Sequence, residues 1–204
     1  MKIVILESQY QKLIESKEEQ KVLHIPSLKL FSNDWFLLQK FLERRGNPPY
    51  SIGGDLNLEG TPIDSLGNLT SVGGNLDLYG IPIESLGNLQ SVGGNLYLYD
   101  TPIKSLGNLI SVGGNLNLYE SKIESLGNLI SVGEDLDLSN TSIESLGNLE
   151  YVGGYLVLFA TQIKSFGNLQ SVGGNLNLDE TPLSDMYTEK QIRQMVNVEG
   201  RIYV

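Results

Sequence analysis

The chain has 204 residues, no cysteine and a formal charge of −10. That length suits one globular domain or one solenoid, and the missing cysteines exclude a disulfide framework and a cysteine-ligated zinc site. The charge is uneven: residues 51–184 carry 15 acids against 3 lysines and no arginine, a balance of −12, while the other 70 residues balance at +2. An acidic middle argues against direct contact with nucleic acid, whose phosphates require Lys and Arg.

Residues 1–50 read as an N-terminal α/β cap. Lys2–Ile5 has the pattern of a strand. The apolar run from Ile3 to Leu6 is only four residues long. A signal peptide or a membrane span needs more, so a cytoplasmic protein without membrane contact is expected. Ser8 is placed to cap a helix through about Lys17. Ile25–Leu30 reads as a second strand, with Leu28 and Leu30 in the roles of Leu56 and Leu58. Asn33 then precedes an amphipathic helix over 34–43, which Gly46-Asn47-Pro48-Pro49 ends.

From Ser51 the chain repeats itself every 20 residues. Seven blocks, starting at Ser51, Ser71, Ser91, Ser111, Ser131, Tyr151 and Ser171, fill residues 51–183. A strict period of this kind marks stacked units that share one core. Leu76 and Leu78 alternate with polar neighbours, as in a strand buried on one face. Ile83, Leu86, Leu89 and Val92 recur every third residue, which suits a tight extended or 3₁₀-like return path rather than an α-helix. Gly73-Gly74 and Gly87-Asn88 supply the turns. The expected fold is a repeat solenoid, with a parallel β-sheet on its concave face and little or no helix on the convex side.

Residues 184–204 read as a second α/β cap. Ser184 or Thr188 is placed to start a helix through about Val196. Gly200–Val204 matches Gly74–Leu78 and should form a last strand. Leu176 and Ile202 lie 26 residues apart, and the excess over one period accommodates the helix. Roughly eight to ten parallel strands follow from the repeat count.

The pattern Leu76-x-Leu78-x-x-Ile81-x-Ile83, repeated as Leu96-x-Leu98-x-x-Thr101-x-Ile103 and continued by Leu106, Leu109 and Val112, resembles the short bacterial form of the leucine-rich repeat. The resemblance implies a solenoid and leaves function open, since such folds serve many partners. The ladder asparagine of that family is replaced by Thr61, Ile81, Thr101, Ser121, Thr141, Thr161 and Thr181. Threonine and serine can still bond backbone; Ile81 cannot. Asn68 to Asn168, in steps of one repeat, are expected to supply an internal ladder instead. The opening Met1–Tyr10 is similar to the starts of uncharacterised tailed-phage proteins, which implies a phage or bacterial origin and, if phage-encoded, the host cytoplasm.

Alternation also selects the outward residues. One row is Asp55, Asn75, Asn95, Asn115, Asp135, Tyr155 and Asn175, nearly uniform and therefore read as structural, with stacked amides satisfying one another. The next two rows vary. With their neighbours they give a candidate partner-binding surface of Tyr79, Tyr97, Tyr99 and Tyr119, ringed by Asp77, Asp100, Glu120 and Asp137, with Tyr155 of the first row and Phe159 farther along. Aromatic residues set among charges are favoured at protein interfaces. The competing explanation is that tyrosine is a good strand residue. Ile110 and Ile130 read as local packing on the other side of the coil.

Little here points to catalysis. His24 is the only histidine. With no cysteine and no second histidine, Cys–His nucleophilic chemistry and ordinary zinc hydrolysis are excluded. Glu134-Asp135-x-Asp137 lacks the nine-residue period of calcium-binding repeats, and no Lys-Ser/Thr follows the glycine pairs, so neither a metal site nor a phosphate loop is assigned. The sequence therefore points to a non-catalytic, cofactor-free protein–protein interaction module whose acidic, tyrosine-rich sheet binds a basic, partly apolar partner. Alternatives are a carbohydrate-binding surface, a self-assembling structural protein and an acidic DNA-mimic inhibitor.

Overall fold

A computed structural model describes residues 22–204. Each repeat winds once around a solenoid and contributes two short strands. One is a leucine pair such as Leu76–Asp77 or Leu96–Tyr97; the other is a Ser-Val pair such as Ser91–Val92 or Ser111–Val112. Equivalent residues stack in parallel register, Leu76 on Leu96 and Ser91 on Ser111. The leucine strands build an 8-stranded sheet ending at Ile202–Tyr203, and the Ser-Val strands a 9-stranded sheet running from Leu23–Ile25 to Asn197–Val198.

The solenoid with little helix is what the repeat pattern implies, but the return path, expected to be tightly extended or 3₁₀-like, holds a second sheet. Its strands form because the Ser-Val pair meets the pair of the coil before. The Gly93 amide, for example, donates to the Val72 carbonyl at 2.8 Å. The estimate of eight to ten strands thus describes each sheet, not the molecule. Gly93 is required by the stacking itself: a Cβ there would collide with the Gly73 carbonyl oxygen of the preceding coil. Gly87 does serve a turn, at φ 60°.

Leu76, Leu78, Ile83, Leu86, Leu89, Val92 and their equivalents point inward to one continuous core. Burying such a side chain contributes roughly 1.5–3 kcal/mol. No single coil can enclose its own apolar residues, so stability comes from stacking.

The flanking elements depart from expectation in detail. Leu23–Ile25 pairs with Tyr50–Ile52. This corrects the strand expected over 25–30: Pro26 has no N–H to continue the ladder, and Ser27 caps a 3₁₀ turn at Leu28–Phe31. Leu28 is buried there, but Leu30 is 68% exposed and does not play the part of Leu58. Helix α1 (Trp35–Glu43) starts at Asp34, whose side chain accepts from the Leu37 amide, and buries Trp35, Leu38 and Leu42. Beneath it the buried Tyr50 hydroxyl donates to the Leu66 carbonyl at 2.9 Å and accepts from Gln39 Nε2 at 3.1 Å. The strand and helix expected over 2–17 lie outside the described residues.

At the other end Thr181 and Thr188 each start a helix, so the single expected helix is two: α2 (Pro182–Met186) and α3 (Glu189–Met195). The final strand, Ile202–Tyr203, pairs with Leu176–Asn177 as the matched sequence implies. Asn197–Val198 also extends the Ser-Val sheet. Inner coils satisfy the Val72 and Gly74 carbonyls with amides of the next coil. At this end the Arg193 guanidinium replaces those amides, donating to Val198 O at 2.7 Å and Gly200 O at 2.8 Å.

Candidate interaction surface

The outer face of the leucine sheet carries the outward rows. The nearly uniform row is structural, by a different bond from the one expected. Each Asn or Asp side chain accepts from the backbone amide of its successor, one coil on: Asp55 from Asn75 at 2.7 Å, Asn75 from Asn95 at 2.8 Å, Asn95 from Asn115 at 2.7 Å, Asn115 from Asp135 at 2.9 Å. The series from Asn68 to Asn168 forms a looser ladder, with Asn88 reaching Asn68 at 3.2 Å and Asn108 reaching the Gly87 carbonyl at 3.0 Å. It is not internal: from Asn88 onward these side chains are exposed.

Two of the candidate acids also have a backbone role. Asp77 Oδ1 accepts from the Tyr79 amide at 3.1 Å and Asp137 Oδ1 from the Ser139 amide at 2.9 Å, as Asn57, Asn117 and Asn177 do in their own coils. These bonds close the turn that leaves the strand and fix each carboxylate in place. The next two acids, Asp100 and Glu120, are exposed and sit at φ 55°. Gly60 and Gly80 fill the same left-handed position in the first two repeats.

The tyrosines separate into two groups. Tyr79 and Tyr99 stack face to face, centroids 4.0 Å apart and planes 17° from parallel. Tyr97 lies beside them and accepts from Asn95 Nδ2 at 3.0 Å. Partial burial raises the Tyr99 pKa above its ordinary value, and Tyr79, Asp77, Glu59 and Tyr97 add to the effect. Tyr119 belongs with Glu120, Asp137 and Asn140. Its pKa is raised first by a hydrogen bond to Glu120, then by the charge of that residue and by partial burial. Tyr119 is 37% exposed. Tyr155 stands apart, half exposed, with its ring against Gly174 one coil later. Phe159 is partly buried in the row of Tyr119, beyond Ser139.

Lys104 pairs with Glu124 at 3.3 Å and Lys164 with Glu144 at 2.9 Å, both on the return path. Asp77, Asp100, Glu120 and Asp137 enter none of the ion pairs found among the described residues. A shallow basin of about 220 Å³ lies between Asp55, Asp77 and Tyr97.

The opposite sheet carries a longer groove of about 500 Å³, away from the tyrosines and acids of the leucine sheet. Serines 51, 71, 91, 111 and 131 and the glycines two positions on line it, with His24 and Tyr151 at its ends. The unbroken serine row was visible in the sequence, at an outward strand position where Thr or Val would be better strand formers. His24 Nδ1 lies 3.1 Å from Ser51 Oγ, as cross-strand neighbours in register. Ile110 and Ile130 are each 43% exposed, so neighbouring groups cover them only in part.

Among the described residues no cluster of three or more His, Cys, Asp or Glu could hold a metal, and no helix is long and apolar enough to cross a membrane. No family model, curated protein or solved structure matches the chain.

Proposed function

We propose that the protein is a non-catalytic interaction module of leucine-rich-repeat type, which holds a basic, partly apolar protein surface against the outer face of its leucine sheet. The observation that carries this is the stacked Tyr79–Tyr99 pair, flanked by Tyr97 and by the carboxylate of Asp77, which a backbone amide pins in place. Rigid aromatic side chains lose little entropy on binding and serve as anchors. Fixed carboxylates that enter no ion pair among the described residues attract Lys and Arg and speed encounter. Cytoplasmic action on a protein partner, without contact to nucleic acid or membrane, belongs to the same proposal. It rests on the charge of the repeats and on the sequence pattern.

Affinity capture from a bacterial lysate over a salt series, comparing the natural chain with a Tyr97→Ala/Tyr99→Ala variant, tests the reading. The expected result is capture that weakens steeply with salt and drops at least tenfold in the variant, as for the loss of interface anchors worth about 2 kcal/mol or more. Capture that survives both changes rejects it.

A further inference from the structure

The asparagine ladder breaks at one place. Tyr155 stands where the other coils have Asn or Asp. Its own amide donates to Asp135 Oδ1 at 2.7 Å, but a phenol ring offers no oxygen at that position to the Asn175 amide. The ladder resumes one step later, with Arg201 N–H donating to Asn175 Oδ1 at 2.8 Å. Core burial is slightly less complete at the same coil. Phe166 is 7% and Leu169 5% exposed, against 2% and 0% for Leu126 and Leu129. An open pocket of about 250 Å³ lies where this coil meets the two C-terminal helices, lined in part by Phe166, Leu169, Leu183, Tyr187 and Met195.

We infer that the stack has a built-in line of opening between the coil at 151–170 and the segment after it, so that residues 171–204 detach from the solenoid as a unit while the earlier coils stay folded. In an array of near-identical units, stability is a sum of similar interface energies, and opening concentrates where one interface is weakest. A terminal unit is released by breaking one interface, whereas an inner one needs two. The junction farther out keeps its ladder bond, and the two Arg193 bonds tie Val198 and Gly200 to helix α3, so residues 197–204 leave with the unit and do not fray from it. Opening frees the amides of Leu156 and Leu158, which otherwise donate to Asn175 and Asn177, and the carbonyl of Val152. Those are the edges of both sheets, the kind of surface to which an added strand pairs.

Native-state hydrogen exchange on the full chain tests this. Amides from Leu176 to Tyr203 should exchange at one common rate, faster than those of the coils between Ser91 and Asn140. Tyr155→Asn should slow that group by roughly fivefold to tenfold, the worth of one recovered hydrogen bond, and leave the inner coils unchanged. Asn115→Tyr, which copies the defect inward, should speed exchange from Asp135 onward. Equal rates along the natural chain overturn the inference. So does faster exchange of residues 171–204 in Tyr155→Asn, which would mean that the ring holds the junction better than the ladder bond does.

Discussion

Single positions show how tightly the coil constrains its side chains. Thr101, Thr141, Thr161 and Thr181 each donate to the carbonyl three residues back, at 2.6, 2.7, 2.8 and 2.7 Å. Ser121 occupies the same site, and its buried hydroxyl has no partner among the described residues. The branched β-carbon of threonine limits χ1 and steers the hydroxyl to that carbonyl, which serine does not enforce. Ser121→Thr should therefore stabilise the protein by about 1 kcal/mol and raise its melting temperature. An unchanged or lower melting temperature would show that the site has no room for the methyl group. At this scale the sequence was legible wherever a residue had one task. The Asn75 row was read as structural and is. For Asp77 and Asp137 the sequence suggests only a place in the acidic ring of the binding surface, because the bond from a carboxylate to an amide two residues on has no signature in hydropathy. The signal was their alternation with Asn57, Asn117 and Asn177 at the same position.

The elements follow from two periods laid over each other. Alternation at Leu76 and Leu78 announced the leucine sheet. The Ser-Val sheet was hidden, because most of its strands are two residues long and its valine falls in the every-third-residue series of the return path. Only stacking against the neighbouring coil makes a strand of such a fragment, and stacking is not a local property. The N-terminal elements show the same limit: Leu28 and Leu30 fit a strand pattern, but Pro26 and the Ser27 cap decide for a 3₁₀ turn. Helix α1 meets the first coil at Tyr50, and this contact has a pH signature. Burial pushes the Tyr50 phenol well above its ordinary value, against a smaller lowering by Gln39. The folded state therefore keeps the proton that the unfolded chain releases above about pH 10. The stabilising contribution is complete below that pH and is lost as pH rises toward the folded-state value, by up to about 1.4 kcal/mol per pH unit. Denaturant titrations between pH 9 and 11.5 should show a steeper loss for the natural chain than for Tyr50→Phe. Parallel curves would mean that Tyr50 does not resist ionisation in the folded state.

Across the whole molecule, the repeat separates what the fold requires from what it leaves free. Inward leucines, the glycine at each close approach and the asparagine ladder are fixed by stacking, and they recur. Tyr79, Tyr97, Tyr99 and Tyr119 occur in only part of the solenoid, and they share one face with acids that enter no ion pair among the described residues. The other face is an uncharged groove of serine and glycine. The two faces differ enough in chemistry that the partner's position on them decides the functional reading. Hydroxyl-radical footprinting of the captured complex measures that position directly. The proposed function predicts that Tyr79, Tyr97, Tyr99 and Tyr119 become protected while Tyr151, at the end of the serine groove, stays reactive. Protection of Tyr151 with the four leucine-sheet tyrosines unchanged would contradict it.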